Sequence, residues 1–317
     1  MGMKILEREL GTLTFSAGQT STLQLPRNYA YRNLSLRFNC DLTWTETTAG
    51  VVRDSSPAQL IQSIQIRANG RDVIKNFDFA ALHRLTQLRT GTRPEYTGPA
   101  STGAQTNFLA VVSALVQFEM YRAIKPIDTL LDSSGLSTLE LIITWGNGAD
   151  IMGGAYVGTV TVNSGTLRVG SVEAVGVPPG TRFMVNKEFA ITHTITAVNT
   201  RLQIQVPVGN LYRAFLLTTE SDAVNVNTIL NQVTLQSGTE VFKLRNDLAL
   251  QADNKVELGL ETWPAGLYYL EFVKDGRLTE MLDTARLSSL EFILDVAIPG
   301  TTDILRIYPT EIIVPPA

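Results

Sequence analysis

Apolar and polar residues alternate through most of this chain. Leu34, Leu36, Phe38, Cys40 and Leu42 share one side of the run 31–44, and Leu139, Leu141, Ile143 and Trp145 share one side of a second run. A period of two marks strands with one buried face. The same pattern predicts strands over 20–25, 62–68, 73–74, 108–120, 156–162 and 166–175. It continues over 201–206, 212–219, 228–235, 241–243, 266–273, 287–296 and 303–313. The period changes at two places. Ala81, Leu82, Leu85 and Leu88 lie at helical spacing within 78–89, with Asn76 or Asp78 in capping position. A second helix is predicted over 247–255, capped by Asn246. Lys4 to Leu10 has room for one or two helical turns. Asn69-Gly70 and Asp275-Gly276 are tight-turn signals.

The pattern occurs twice. Residues 131–143 (LDSSGLSTLELII) and 282–294 (LDTARLSSLEFIL) share seven of thirteen positions. Other segments repeat in the same order. Gln24, Pro26, Tyr31 and Arg32 recur as Gln205, Pro207, Tyr212 and Arg213, and Ile64 and Ile66 match Val233 and Leu235. Gly70, Val73, Lys75, Ala81 and Leu82 recur as Gly238, Val241, Lys243, Ala249 and Leu250. Leu167, Arg168 and Glu173 recur as Leu305, Arg306 and Glu311. Unrelated coincidences do not keep chain order, so one domain is duplicated in tandem. The second copy is shorter opposite 44–56, 90–107 and 146–165, stretches rich in Gly, Thr, Ser and Pro that read as surface loops. The expected division is an N-terminal arm at 1–15, a first domain at 16–177, a linker at 178–182 and a second domain at 183–317. Short strands with turn signals and one helix per copy imply an all-β fold of two tandem eight-stranded jelly-roll barrels.

Composition narrows the function. The chain has 317 residues, 44% hydrophobic and 18% charged, with a net charge of −4. That is a globular core without the basic surface that grips nucleic acid. The single Cys40 excludes an intramolecular disulfide and a multi-cysteine zinc site, and its alternating surroundings read as core. No apolar run is long enough for a membrane-spanning helix. The first residues lack a signal-peptide core, and Leu6 stands where a myristoylation motif has Ser or Thr, so synthesis in the cytoplasm is expected.

Candidate chemistry is sparse. His83 and His193 are the only histidines, in different copies, too few for a cupin metal site. No Gly-x-Ser-x-Gly elbow is present. Glu140 recurs as Glu291 and Glu173 as Glu311. A glycosidase needs such carboxylates paired in a cleft, whereas one per barrel reads as a solvated or salt-bridged strand face. Gly146 to Asp150 reads as a flexible turn, with calcium ligation the alternative. Arg84, Arg89 and Arg93 read as exposed helix and loop charge, with contact between subunits the alternative. The sequon Asn33-Leu-Ser35 lies inside a strand. No catalytic, cofactor or metal residue is assigned, and no enzyme activity is expected.

Two tandem jelly rolls of unequal loop length, each with a helix after its Asn-Gly or Ser-Gly turn, resemble the double jelly-roll major capsid proteins of tailless icosahedral viruses, especially membrane-containing phages. The resemblance covers about 16–314. It implies a homotrimer whose six barrels form a pseudo-hexagonal capsomer of an icosahedral shell. Its implied partners are neighbouring trimers, penton or minor capsid proteins, and an internal membrane met by the N-terminal arm. The short loops depart from members with tower insertions. The alternative is a carbohydrate-binding or carbohydrate-processing double jelly roll.

Overall fold

The computed structural model describes residues 4–45, 50–177, 181 and 183–315. The chain forms two compact units that divide between Phe189 and Ala190. Of the linker expected at 178–182, residues 178–180 and 182 lie outside the described residues.

Unit 1 contains β1 (Lys4–Thr14), β2 (Thr20–Gln24), β3 (Ala30–Trp44), β4 (Ile61–Ala68), β5 (Asp72–Phe77), α1 (Phe79–Thr90), β6 (Gln105–Gln117), β7 (Leu139–Trp145), β8 (Val160–Val175) and β9 (Val185–Glu188). One sheet runs β1-β8-β3-β6 and the other β2-β7-β4-β5-β9. Every pair is antiparallel except β9 on β5, which is parallel with Glu188 opposite Lys75. The alternation seen in the sequence supplies the core. Leu34, Phe38, Ile64, Ile66, Val112, Leu141, Ile143, Trp145, Leu167 and Val169 are fully buried. Burying four such side chains of β7 contributes roughly 6–12 kcal/mol before chain entropy is subtracted.

Unit 2 repeats the plan. It contains β10 (Ile191–Ile195), β11 (Asn199–Val206), β12 (Leu211–Ser221), β13 (Leu230–Ser237), β14 (Glu240–Asn246), α2 (Asp247–Leu258), β15 (Leu267–Glu271), β16 (Leu290–Val296) and β17 (Asp303–Ile313). Its sheets run β10-β17-β12-β15 and β11-β16-β13-β14. Phe215, Leu217, Val233, Leu235, Phe292, Leu294 and Ile307 form its core.

The duplication holds at the level of register. Leu141 faces Ile66 and Phe292 faces Leu235. Val169 faces Leu36 and Ile307 faces Leu217. Tyr31 faces Leu131 and Tyr212 faces Leu282. Both helices end on a left-handed glycine, Gly91 and Gly259.

Three expectations are corrected. Residues 4–10 are strand, not helical turns, because Leu6, Arg8 and Leu10 alternate with exposed Ile5, Glu7 and Glu9 along the edge of β8. Nor do residues 4–14 of the expected arm stand apart from the barrel, and residues 1–3 lie outside the described residues. Thr12 pairs Arg168 and Thr192 pairs Arg306, so β10 answers β1. The strand expected at 156–162 is the start of β8, which begins at Val160.

Candidate functional site

The repeated stretch is a turn followed by a strand, and its polar residues make matching bonds in the two copies. Asp132 accepts the N–H of Ser134 at 3.0 Å, and Asp283 accepts that of Ala285 at 2.9 Å. The hydroxyl of Ser133 donates to the Tyr29 carbonyl at 2.5 Å, and that of Thr284 to the Asn210 carbonyl at 2.6 Å. These bonds tie the approach to β7 and β16 to the corner preceding β3 and β12. The tyrosines close the same corner: Tyr31 donates to Pro26 O and Tyr212 to Pro207 O.

The recurring glutamates are held by neighbours of their own barrels. Glu140 takes Gln24 Nε2 at 2.6 Å and the Arg67 guanidinium at 2.8 Å, which holds its carboxyl below the usual range. Glu291 takes Gln205 Nε2 at 2.9 Å and Gln236 Nε2 at 3.2 Å. Glu173, fully buried, takes Arg8 Nη2 at 2.6 Å and Ser171 Oγ at 2.7 Å. Buried Glu311 takes Asn210 Nδ2 at 2.6 Å. Amide and guanidinium partners on ladder neighbours make these carboxylates locks between strands.

The arginine cluster corrects the expectation of exposed charge at two of its three members, and Arg93 is exposed on its loop as expected. Arg84 and Arg89 are buried, Arg84 under a loop expected at the surface and Arg89 against Glu188 of β9. Ser55, Ser56, Pro57 and Ala58 are themselves buried beside α1, and Asp54 accepts Arg84 Nε at 2.7 Å. Arg84 carries Asp54 below the usual carboxylate range although burial alone would raise it. Arg93 lies 3.8 Å from the centre of the Tyr96 ring, which packs against His83. His83 Nδ1 donates to the Ser113 carbonyl at 2.7 Å, and Nε2 accepts Arg93 Nε at 3.3 Å. Burial pushes His83 down to about 4, opposed by the Ser113 carbonyl and aided by Arg84 and Arg93. His193 sits in β10, in the other unit.

Arg89 belongs to a second buried group that the sequence did not announce. Glu188 is fully buried, with Lys75 Nζ 2.6 Å away and Arg89 Nη2 on its other oxygen. Burial alone would raise its carboxyl, but Arg89 and Lys75 outweigh it and hold it well below the usual range. The available signal was Lys75 directly after the strand predicted at 73–74, a charge that needs a partner if the strand continues into the core.

The remaining candidates are structural. Asp150 closes a turn by accepting the Asn147 N–H at 2.7 Å and Gln62 Nε2 at 3.1 Å. Cys40 is buried, its thiol pushed up to about 12 by burial. Asn33 and Ser35 lie within β3. Among the described residues no three His, Cys, Asp or Glu side chains gather as a metal-binding group. No described helix is long and apolar enough to cross a membrane. The exposed apolar side chains of unit 2 include four on β14 and α2, at Val241, Leu244, Leu248 and Val256.

No protein-family model and no curated protein matches the chain. Solved structures do. The major capsid protein of Sulfolobus Turreted Icosahedral Virus matches with a TM-score of 0.77 at 16% identity, over 98% of this chain and 97% of that one. The major capsid protein P2 of bacteriophage PM2 matches with 0.64 at 14% identity, over 97% and 98%. The capsid protein of PBCV-1 matches with 0.63 at 11%, over 99% and 95%. Two barrels of equal topology, joined in one chain and matched along their full length, give this protein the double jelly-roll fold of those viral major capsid proteins.

Proposed function

We infer that this protein is a major capsid protein, a structural subunit and not an enzyme, made in the host cytoplasm and placed in the virion shell. One observation carries the reading: both barrels match major capsid proteins over nearly the whole of this chain and of those chains. The internal chemistry supports it, since the recurring carboxylates join strands of one barrel.

A shell face needs a tile of nearly six-fold outline. A duplicated barrel that trimerises supplies six similar edges from one gene, and divergence of the copies lets neighbouring edges differ. The subunit therefore forms homotrimeric pseudo-hexagonal capsomers that meet other trimers and, at the vertices, penton or minor capsid proteins. A membrane role for an N-terminal arm is not carried forward, because residues 4–14 belong to a sheet.

Native mass measurement and electron microscopy of the purified protein test this. The expected result is a trimer stable in high salt, with trimer–trimer contacts that assemble into hexagonal arrays and weaken in salt. A monomer at micromolar concentration in low and high salt, absent from any particle, would overturn it.

A further inference from the structure

We propose that the free edge of β14, with the adjoining face of α2, docks the N-terminal strand β1 of a second copy, the register placing Arg8 opposite Lys243 and beside Glu257. The proposal names the contact behind the trimer and rests on that reading.

The occupant follows from the duplication. In unit 1 the edge strand β5 is covered by Val185–Glu188, in parallel, with Glu188 opposite Lys75. In unit 2 the matching strand β14 ends its sheet uncovered among the described residues. Val241 is 50% exposed, Leu244 48%, and Leu248 on α2 68%. An uncovered edge with apolar side chains is a template for another strand. Counting back from Thr192, the counterpart of Thr12, makes Val185–Glu188 the counterpart of Ile5–Arg8. The strand matching the one that covers β5 is thus the N-terminal half of β1. It too ends its sheet among the described residues, with Ile5 54% exposed.

Charge chooses the same partner. Glu188 enters between Lys75 and Arg89. In copy two Lys75 is matched by Lys243, and Arg89 by Glu257 with its sign reversed. On the incoming strand Glu188 is matched by Arg8, again with its sign reversed. Glu257 pairs with Lys274, an exposed side chain. Arg8 uses Nη2 on Glu173, while its buried Nε has no hydrogen-bond partner. Exposed Glu7 and Glu9 flank Arg8 and bring carboxylates to an edge that carries Lys243, Arg245 and Lys274. Such a contact is heterologous, β1 of one copy on β14 of the next, and the proposed trimer is the ring in which it would close.

Cross-linking tests it. Glu9 and Leu244 are the exposed residues one step beyond Arg8 and Lys243. The variant Glu9→Cys with Leu244→Cys, oxidised under native conditions, is expected to give disulfide-linked dimers and trimers, and each single variant none. Cys40 is buried and adds no background. Glu257→Arg should weaken the trimer at least about tenfold, and Arg8→Glu combined with Glu257→Arg should recover it by recreating the Glu188–Arg89 pairing. Arg8→Glu alone sits against Glu173 and can unfold β1, so the cross-link decides. A wild-type trimer with no cross-link, or cross-links that stop at a dimer, overturns this contact and leaves the capsid reading standing. A wild-type monomer overturns both.

Discussion

The two helices of this protein occupy matching places in matching barrels and have opposite fates. Each is twelve residues long. In α1 nine side chains are buried, and in α2 only Leu250, Gln251 and Asn254 are. Leu88 is 1% exposed, whereas its counterpart Val256 is 84% exposed. The cause lies outside the helices. Copy one carries a longer loop before β4, whose Asp54, Pro57 and Ala58 cover α1, and a longer one after α1, whose Arg93 and Tyr96 close over His83. Copy two lacks both. Trimming loops has therefore turned an internal helix into a surface, and the barrel beneath has kept its register.

The largest effect is expected where β9 closes copy one. Glu188→Gln leaves Lys75 and Arg89 buried without their anion, and about 3–5 kcal/mol of stability should be lost. Urea denaturation followed by the fluorescence of Trp44 and Trp145, both in unit 1, measures it. A cost below about 1 kcal/mol would show that β9 is not needed to hold the edge of β5.

The helices themselves come next. Leu88→Ala removes a fully buried side chain and should cost about 2–5 kcal/mol. Val256→Ala in the free subunit should stay within about 0.5 kcal/mol. Equal costs would mean that α2 is covered in solution by something the isolated chain does not supply.

Acid separates the copies further. His83 is surrounded by Arg84, Arg93, Asp54 and Tyr96, and its folded pKa is about 4 against an ordinary 6.5. A depressed histidine leaves its full contribution above pH 6.5 and loses it as pH falls towards 4. The loss is about 3 kcal/mol over that window. His83→Gln imports the residue that copy two has at the matching position, Gln251, and should flatten this part of the stability curve. An unchanged acid slope in that variant would move the effect to other groups.

How far the sequence carried the reading depended on where each residue finds its partner. Strands with one buried face were legible, and β17 was bounded at 303–313 from alternation alone. Duplication was legible because turn residues such as Asp132 and Asp283 bond within three positions and cannot change freely. Burial of Arg84 and Arg89 was not, because their covers are Asp54 and Glu188, far away along the chain. Strand β9 was missed because it has four residues and pairs in parallel. The start of β1 was misread because Leu6 and Leu10 also fit helical spacing, and Arg8 interrupts the apolar alternation.

The smallest effect asks whether the two copies are alike in energy as well as in shape. Tyr31 and Tyr212 are buried at matching corners, and their hydroxyls donate to Pro26 O at 2.5 Å and to Pro207 O at 2.7 Å. Burial raises both phenols, and a nearby carboxylate, Glu173 or Glu311, adds to it, so both remain neutral donors at any working pH. Replacing either with Phe keeps the ring and deletes one bond, at about 1 kcal/mol each. Because the residues lie in separate units, the double variant should cost the sum. Glu173 is paired with Arg8, and Glu311 takes the amide of Asn210. If Tyr31→Phe proves clearly the cheaper, the ion pair with Arg8 has taken over part of the tyrosine's task in copy one, and the corners have diverged beneath an unchanged geometry.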